Sequence, residues 1–172
     1  MRLSLLFAFL ACARWATAQV TACACNGLVN WEYRQPIALL DKPGGKVIRR
    51  LSHHISEEDA LIWTADQQQG DYFHVTVSYD ISGKSAQGWL KQAAWLGTYV
   101  RNYDAAVSLY AAPTTTAAVT ARVAPEVPTT TFFPITRCGQ GWVYVRAVLP
   151  GKVLEGWLAP NKQCANQART CD

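Results

Sequence analysis

The sequence predicts an all-β protein made of two small antiparallel modules in tandem, and three observations carry that prediction. A strand-turn-strand phrase occurs twice: Gly70-Asp71-Tyr72-Phe73-His74-Val75, closed by Gly88-Trp89-Leu90, and Gly139-Gln140-Gly141-Trp142-Val143-Tyr144-Val145, closed by Gly156-Trp157-Leu158. Tyr72 and Trp142 stand 70 residues apart, as do Ala38-Leu39-Leu40 and Ser108-Leu109-Tyr110, while the closing Gly-Trp-Leu triplets are offset by 68. A repeat with this period marks one supersecondary unit written twice. Apolar and polar residues alternate in short runs, with no helical period of useful length. Turn-forming clusters such as Asp41-Lys42-Pro43-Gly44-Gly45 and Leu149-Pro150-Gly151-Lys152 separate those runs.

In chain order, residues 1–18 read as a signal peptide. Arg2 supplies the positive start, Leu3 to Ala11 the apolar run, and Ala16-Thr17-Ala18 the small residues at the cleavage point. The run is too short for a spanning helix and Arg14 interrupts its end. The expected location is therefore exported, periplasmic or secreted. A lipoprotein is the alternative, since Val20-Thr21-Ala22-Cys23 has lipobox residue types; membrane contact is expected only if Cys23 is lipidated. Loss of Arg2 and Arg14 lowers the 16 basic residues to 14, against 12 acidic ones. A balance that weak, with no basic stripe, argues against nucleic acid as a partner.

Residues 19–34 carry little periodicity and are expected to form an N-terminal arm. The first module is placed at 35–97, with strands around Ile37–Leu40, Val47–Leu51, Ala60–Ala65, Tyr72–Val77 and Gln87–Leu90. Alternation puts Phe73, Val75 and Val77 on its inner face and Tyr72, His74 and Thr76 outside. A short aromatic linker is expected at 98–104, and the second module at 105–161. There Val143, Val145 and Ala147 face inward, with Trp142, Tyr144 and Arg146 outward. Trp89, Trp157, Trp63 and Phe133 are expected to serve packing. The tail, 162–172, is bracketed by Cys164 and Cys171, and a local bridge between them is the expected disulfide; Cys138 to Cys164 is the alternative. Cleavage after Ala18 leaves five cysteines, so one thiol is unpaired within the chain, joined to another chain, or lipidated at Cys23.

This pattern of apolar strand, Pro turn, aromatic strand and closing Gly-Trp resembles the bacterial SH3-like (SH3b, SH3 type 3) domain. The resemblance rests on Pro43, Tyr72, Val75, Gly88 and Trp89, and again on Pro113, Trp142, Val145, Gly156 and Trp157. Tyr72 departs from the usual Trp, and a histidine-containing loop precedes Trp63. The resemblance implies two SH3-like β barrels in tandem and binding of peptide-like ligands, with the peptides of peptidoglycan as the commonest class. It places the site in a shallow aromatic groove, for which the candidates are Tyr72, His74, Asp71, Tyr110, Trp142 and Tyr144. An exported protein partner, bound by the same surface of an inhibitor, immunity or assembly factor, is the alternative.

No chemistry beyond binding is expected. His53-His54 with Glu57, Glu58 and Asp59 has metal-ligand residue types, but adjacent histidines in an extended segment point opposite ways, so a solvated loop is expected. Cys23-Ala24-Cys25 has no partner pair at zinc spacing. Phosphate-loop, dinucleotide and zincin patterns do not occur, and no nucleophile elbow is found. The expectation is a non-enzyme without metal or cofactor.

Overall fold

Among the described residues thirteen strands succeed one another: β1 (Val20–Val29), β2 (Ile37–Leu40), β3 (Val47–Leu51), β4 (Leu61–Gln69), β5 (Tyr72–Tyr79), β6 (Ser85–Lys91), β7 (Leu96–Val100), β8 (Val107–Tyr110), β9 (Val119–Val123), β10 (Phe133–Gly139), β11 (Trp142–Leu149), β12 (Lys152–Leu158) and β13 (Gln163–Cys164). The structure, a computed structural model, describes residues 19–166. The signal peptide expected at 1–18, and Cys171, lie outside the described residues. Two single-turn 3-10 helices, Ile55–Glu57 and Pro160–Lys162, are the helical elements among the described residues, and no helix there is long and apolar enough to cross a membrane.

The strands follow one antiparallel hydrogen-bonded path, β3-β2-β6-β5-β4-β1-β7-β10-β11-β12-β8-β9, with β13 added to β7. Outward from the central β1–β7 pair, one half runs β1-β4-β5-β6-β2-β3 and the other β7-β10-β11-β12-β8-β9. The order is the same, each strand advanced by six. The irregularities repeat too. The β4–β5 register slips between Ala65 and Gln67, and the β10–β11 register between Ile135 and Arg137. The β2–β3 register slips between Leu39 and Leu40, and the β8–β9 register between Leu109 and Tyr110. Each bulge lies 70 residues from its counterpart, so the duplication extends to places where a ladder breaks.

Two separate closed barrels were the expectation, and the structure has one open, continuous sheet instead. The reason lies in the expected N-terminal arm and in the segment where the first module was expected to pass into the linker. The expected arm is strand β1, with Cys23, Cys25, Gly27 and Val29 buried at alternate positions. The expected linker at 98–104 begins inside β7, whose five residues are all buried. Gly27 and Gly97 are themselves 70 residues apart, so β1 and β7 open two six-strand repeats. Each satisfies the backbone edge of its own repeat, β1 on β4 and β7 on β10. They then pair with each other through Leu28–Gly97 and Val29–Leu96. The core is correspondingly shared: Phe73, Val75, Val77 and Trp63 of the first repeat and Phe133, Ile135, Val143 and Val145 of the second belong to one buried cluster.

Close approach at the centre depends on glycine. A Cβ on Gly27 would stand 2.6 Å from the Trp63 ring and 2.7 Å from the Gly97 carbonyl oxygen. The repeats are also stitched side by side. The bulge at Thr136 leaves its carbonyl free of the ladder, and the side-chain amides of Gln68 and Gln92 donate to it at 3.2 and 2.6 Å. Gln68 Oε1 accepts the Cys138 N–H at 3.1 Å, so one glutamine acts as a short piece of strand backbone. Beside it a disulfide joins Cys25 to Cys138, residues 113 apart in sequence. Cys138 is thus not paired with Cys164, because β1 brings Cys25 against β10. Cys164 is itself disulfide-bonded and buried against β7.

Two substitutions test this arrangement. Gly27→Ala should lower stability by about 3 kcal/mol in urea unfolding, because both the ring and the carbonyl it meets are fixed by the sheet. Gln140 takes a left-handed φ of 50° in the β10–β11 turn, so Gln140→Gly should raise the unfolding free energy by about 0.5–1 kcal/mol, read as a higher urea midpoint.

Candidate aromatic binding surface

The outer face of the second repeat gathers aromatic side chains because strand pairing puts them opposite one another. Tyr144 lies across from Trp157 in the β11–β12 ladder, and Trp157 lies across from Tyr110 of β8. Alternation leaves all three half-buried while Val143, Val145 and Leu158 fill the interior. Tyr144 and Trp157 meet edge to face at 5.7 Å, and Tyr110 and Trp142 at 5.8 Å. The Arg137 guanidinium lies 3.9 Å from the centre of the Tyr144 ring and 5.6 Å from that of Trp157. Among the described residues it has no carboxylate at ion-pair distance. The strip therefore offers flat π faces beside a cation with unused donors.

The first repeat carries a leaner version. Trp89 keeps the place of Trp157, but Leu40 stands for Tyr110, Tyr72 for Trp142, His74 for Tyr144 and Gln67 for Arg137. His74 lies across from Trp89 with ring centres 5.3 Å apart, and its Nδ1 is 2.7 Å from an Asp66 carboxylate oxygen. Asp71 sits exposed in the β4–β5 turn, where its carbonyl accepts the Gln92 N–H. The six candidate residues thus fall on two surfaces: Tyr110, Trp142 and Tyr144 together, and Tyr72, His74 and Asp71 on the other repeat. Sequence reasoning set Trp157 aside as packing and did not include Arg137. Their signal was positional, since both follow from pairing partners of Tyr144.

A groove of 540 Å³ opens where the repeats meet, lined by Gln92, Ala93, Phe132, Pro134, Thr136 and Arg146 among others. Arg146 there pairs with Glu155 at 3.3 Å. This groove shares with the strip only the β10 and β11 strands.

The histidine-acid loop is solvated at 55–58 as expected, but not at its two ends. His53 is 8% exposed and Asp59 1%. His53 Nδ1 accepts the Leu61 N–H at 3.1 Å, and its Nε2 lies 3.2 Å from the Asn30 carbonyl, to which it donates as the other ring nitrogen. Burial holds His53 below the ordinary histidine range, against the Asn30 carbonyl, which favours the charged form; the Arg34 charge adds to the lowering. Asp59 receives the Ile81 N–H at 2.7 Å and the Ser82 N–H at 3.1 Å, fastening the β5–β6 loop. Burial raises its carboxyl, but these hydrogen bonds together outweigh that and hold it below its usual range. His54 stacks on Tyr79 at 4.1 Å. His53 thus serves packing, whereas His54, Glu57 and Asp59 each place one ligand atom within 4.8 Å of the others and could together hold a metal ion.

Compared with known proteins, the chain matches no family model, no curated protein and no solved structure.

Because the folded protein binds a proton at His53 less readily than the unfolded chain does, stability should be complete above pH ~6.5 and fall as the pH drops below it. The slope should not exceed about 1.4 kcal/mol per pH unit from this group. Urea midpoints between pH 7.5 and 5 should show the fall, and His53→Gln should flatten it.

Proposed function

We propose that the chain is a non-catalytic, exported binding protein whose aromatic strip takes peptide-like ligands, with cell-wall peptides as the leading class. The observation that carries this reading is the half-exposed run of Trp142, Tyr110, Trp157 and Tyr144 with Arg137 laid over it. Aromatic faces cover the apolar parts of a peptide with little loss of side-chain freedom, and an uncommitted guanidinium accepts a carboxylate in a bidentate pair. Each histidine is engaged with backbone, ring or carboxylate groups rather than with a hydroxyl or thiol, which supports a binding role over catalysis.

An SH3-like origin is supported by the five strands β2 to β6 and β8 to β12. In each set the first strand lies beside the last, as in a small barrel opened along one seam, and the seam falls between β3 and β4 or between β9 and β10. Export is supported by the Cys25–Cys138 disulfide, a bond suited to an oxidising compartment. An acyl group on Cys23 would require that buried sulfur to leave the core and would remove the paired residues Val20 to Ala22.

Sedimentation of the mature protein with insoluble peptidoglycan tests the proposal. Retention should weaken at least about tenfold in Trp142→Ala, a loss of ~1.4 kcal/mol, while Tyr72→Ala should have the smaller effect. Absence of retention, with a defined exported protein bound by the same strip, would replace the ligand class with a protein partner.

A further inference from the structure

Three cysteines meet where β1 crosses to β10. The Sγ atoms of Cys23, Cys25 and Cys138 all lie within 4.8 Å of one another. Cys25 and Cys138 are bonded, and Cys23 is a free thiol, 8% exposed. The placement follows from a bulge. Ala22 pairs with Gln67 and Cys25 with Ala65, so Cys23 and Ala24 together oppose the single residue Asp66. The bulge is held from outside by the Gly141 N–H, which donates to the Ala24 carbonyl at 2.5 Å. Packing therefore presents a third sulfur to a finished crosslink.

We propose that this cluster is an internal disulfide-exchange site, in which Cys23 displaces Cys25 from Cys138 and the crosslink between β1 and β10 moves two residues along the chain. In the forward step the Cys23 thiolate attacks Cys138 Sγ. A Cys23–Cys138 bond forms, the Cys25–Cys138 bond breaks, and Cys25 leaves as a thiolate that takes up the proton Cys23 gave. Electrons balance within the three sulfurs, so no outside oxidant or reductant takes part. Cys23 and Cys25 both point inward, so either crosslink ties the same face of β1 to β10.

The surroundings make the exchange slow at neutral pH. Burial, and after it the Asp66 carboxylate, push the Cys23 thiol up to about 11. Asp66 is the charged group that β4 turns toward it, and His74 of β5 holds that carboxylate. β10 contributes Arg137, whose guanidinium lies over Tyr144, and β11 contributes Arg146, paired with Glu155. The strand β7 carries Tyr99 as its one titratable side chain. Well below the thiol's titration, the thiolate fraction and hence the exchange rate rise about tenfold per pH unit.

The test uses the full oxidised chain, incubated without reductant at pH 7 and pH 9. It is then denatured at pH 5 with excess N-ethylmaleimide, and peptide fragmentation locates the tag. The expected result is a tag divided between Cys23 and Cys25, reaching its final ratio roughly 100-fold faster at pH 9, that is, tenfold for each of two pH units. A tag confined to Cys23 after prolonged incubation at pH 9 overturns the proposal. Cys25→Ser, exposed to oxidised glutathione, should form the Cys23–Cys138 crosslink. Glutathione adducts on a folded variant without that crosslink count against the proposal. If the variant does not fold, the tag distribution in the unsubstituted chain decides.

Discussion

The rest of the structure depends on how two backbone edges are satisfied. A five-stranded unit that does not close leaves β4 and β10 with rows of amide and carbonyl groups needing partners, and leaving such groups unpaired in an interior costs more than almost any single side-chain contact returns. Strands β1 and β7 meet that requirement, and their mutual pairing makes one sheet of two repeats. Gln68 completes the join in miniature. It stands 70 residues before Cys138, its counterpart in the second repeat, and holds that counterpart's amide. Symmetry-related positions meeting each other are what a pseudo-twofold arrangement requires.

The same geometry explains why the two outer faces differ in chemical character while the inner ones differ only in the size of apolar side chains. Interior positions answer to a shared core, and Phe73, Val75 and Val77 are matched by Val143, Val145 and Ala147, all buried. Outer positions answer only to their cross-strand neighbours and to solvent. There Tyr110, Tyr144 and Arg137 have replaced Leu40, His74 and Gln67 around a constant tryptophan. Inner substitutions change size and stay apolar, whereas outer ones change chemical character, so the repeats differ most in what they present outside.

Much of this was legible in the chain. Period-two alternation located the buried faces of β5 and β11, and Gly-Pro clusters located the turn after β2 and the turn before β12. The repeat was legible as five strands rather than six. In β1 the alternating positions before Val29 are Cys23, Cys25 and Gly27, small or sulfur-bearing, and do not read as an apolar run; in β7 every residue is buried, so alternation is absent. The disulfide was hidden for a related reason. Short-range spacing favoured Cys164 and Cys171, whereas Cys25 and Cys138 become neighbours only once β1 has been recognised as a strand. The burial of His53 and Asp59 was illegible because it depends on tertiary contacts with Asn30 and the β5–β6 loop.

A sheet this long still ends somewhere, and it ends on β3 and β9, each bonded on one side only. Both are largely exposed, and both carry hydrophobic residues, Val47 and Ile48 on one and Val119 on the other. Arg49 and Arg50 stand beside the first pair and Arg122 beside the second. Edge-to-edge growth of one molecule onto another would bring these like charges together, so the arginines act as gatekeepers against fibrillar self-association. That protection is electrostatic, and it weakens as ionic strength rises.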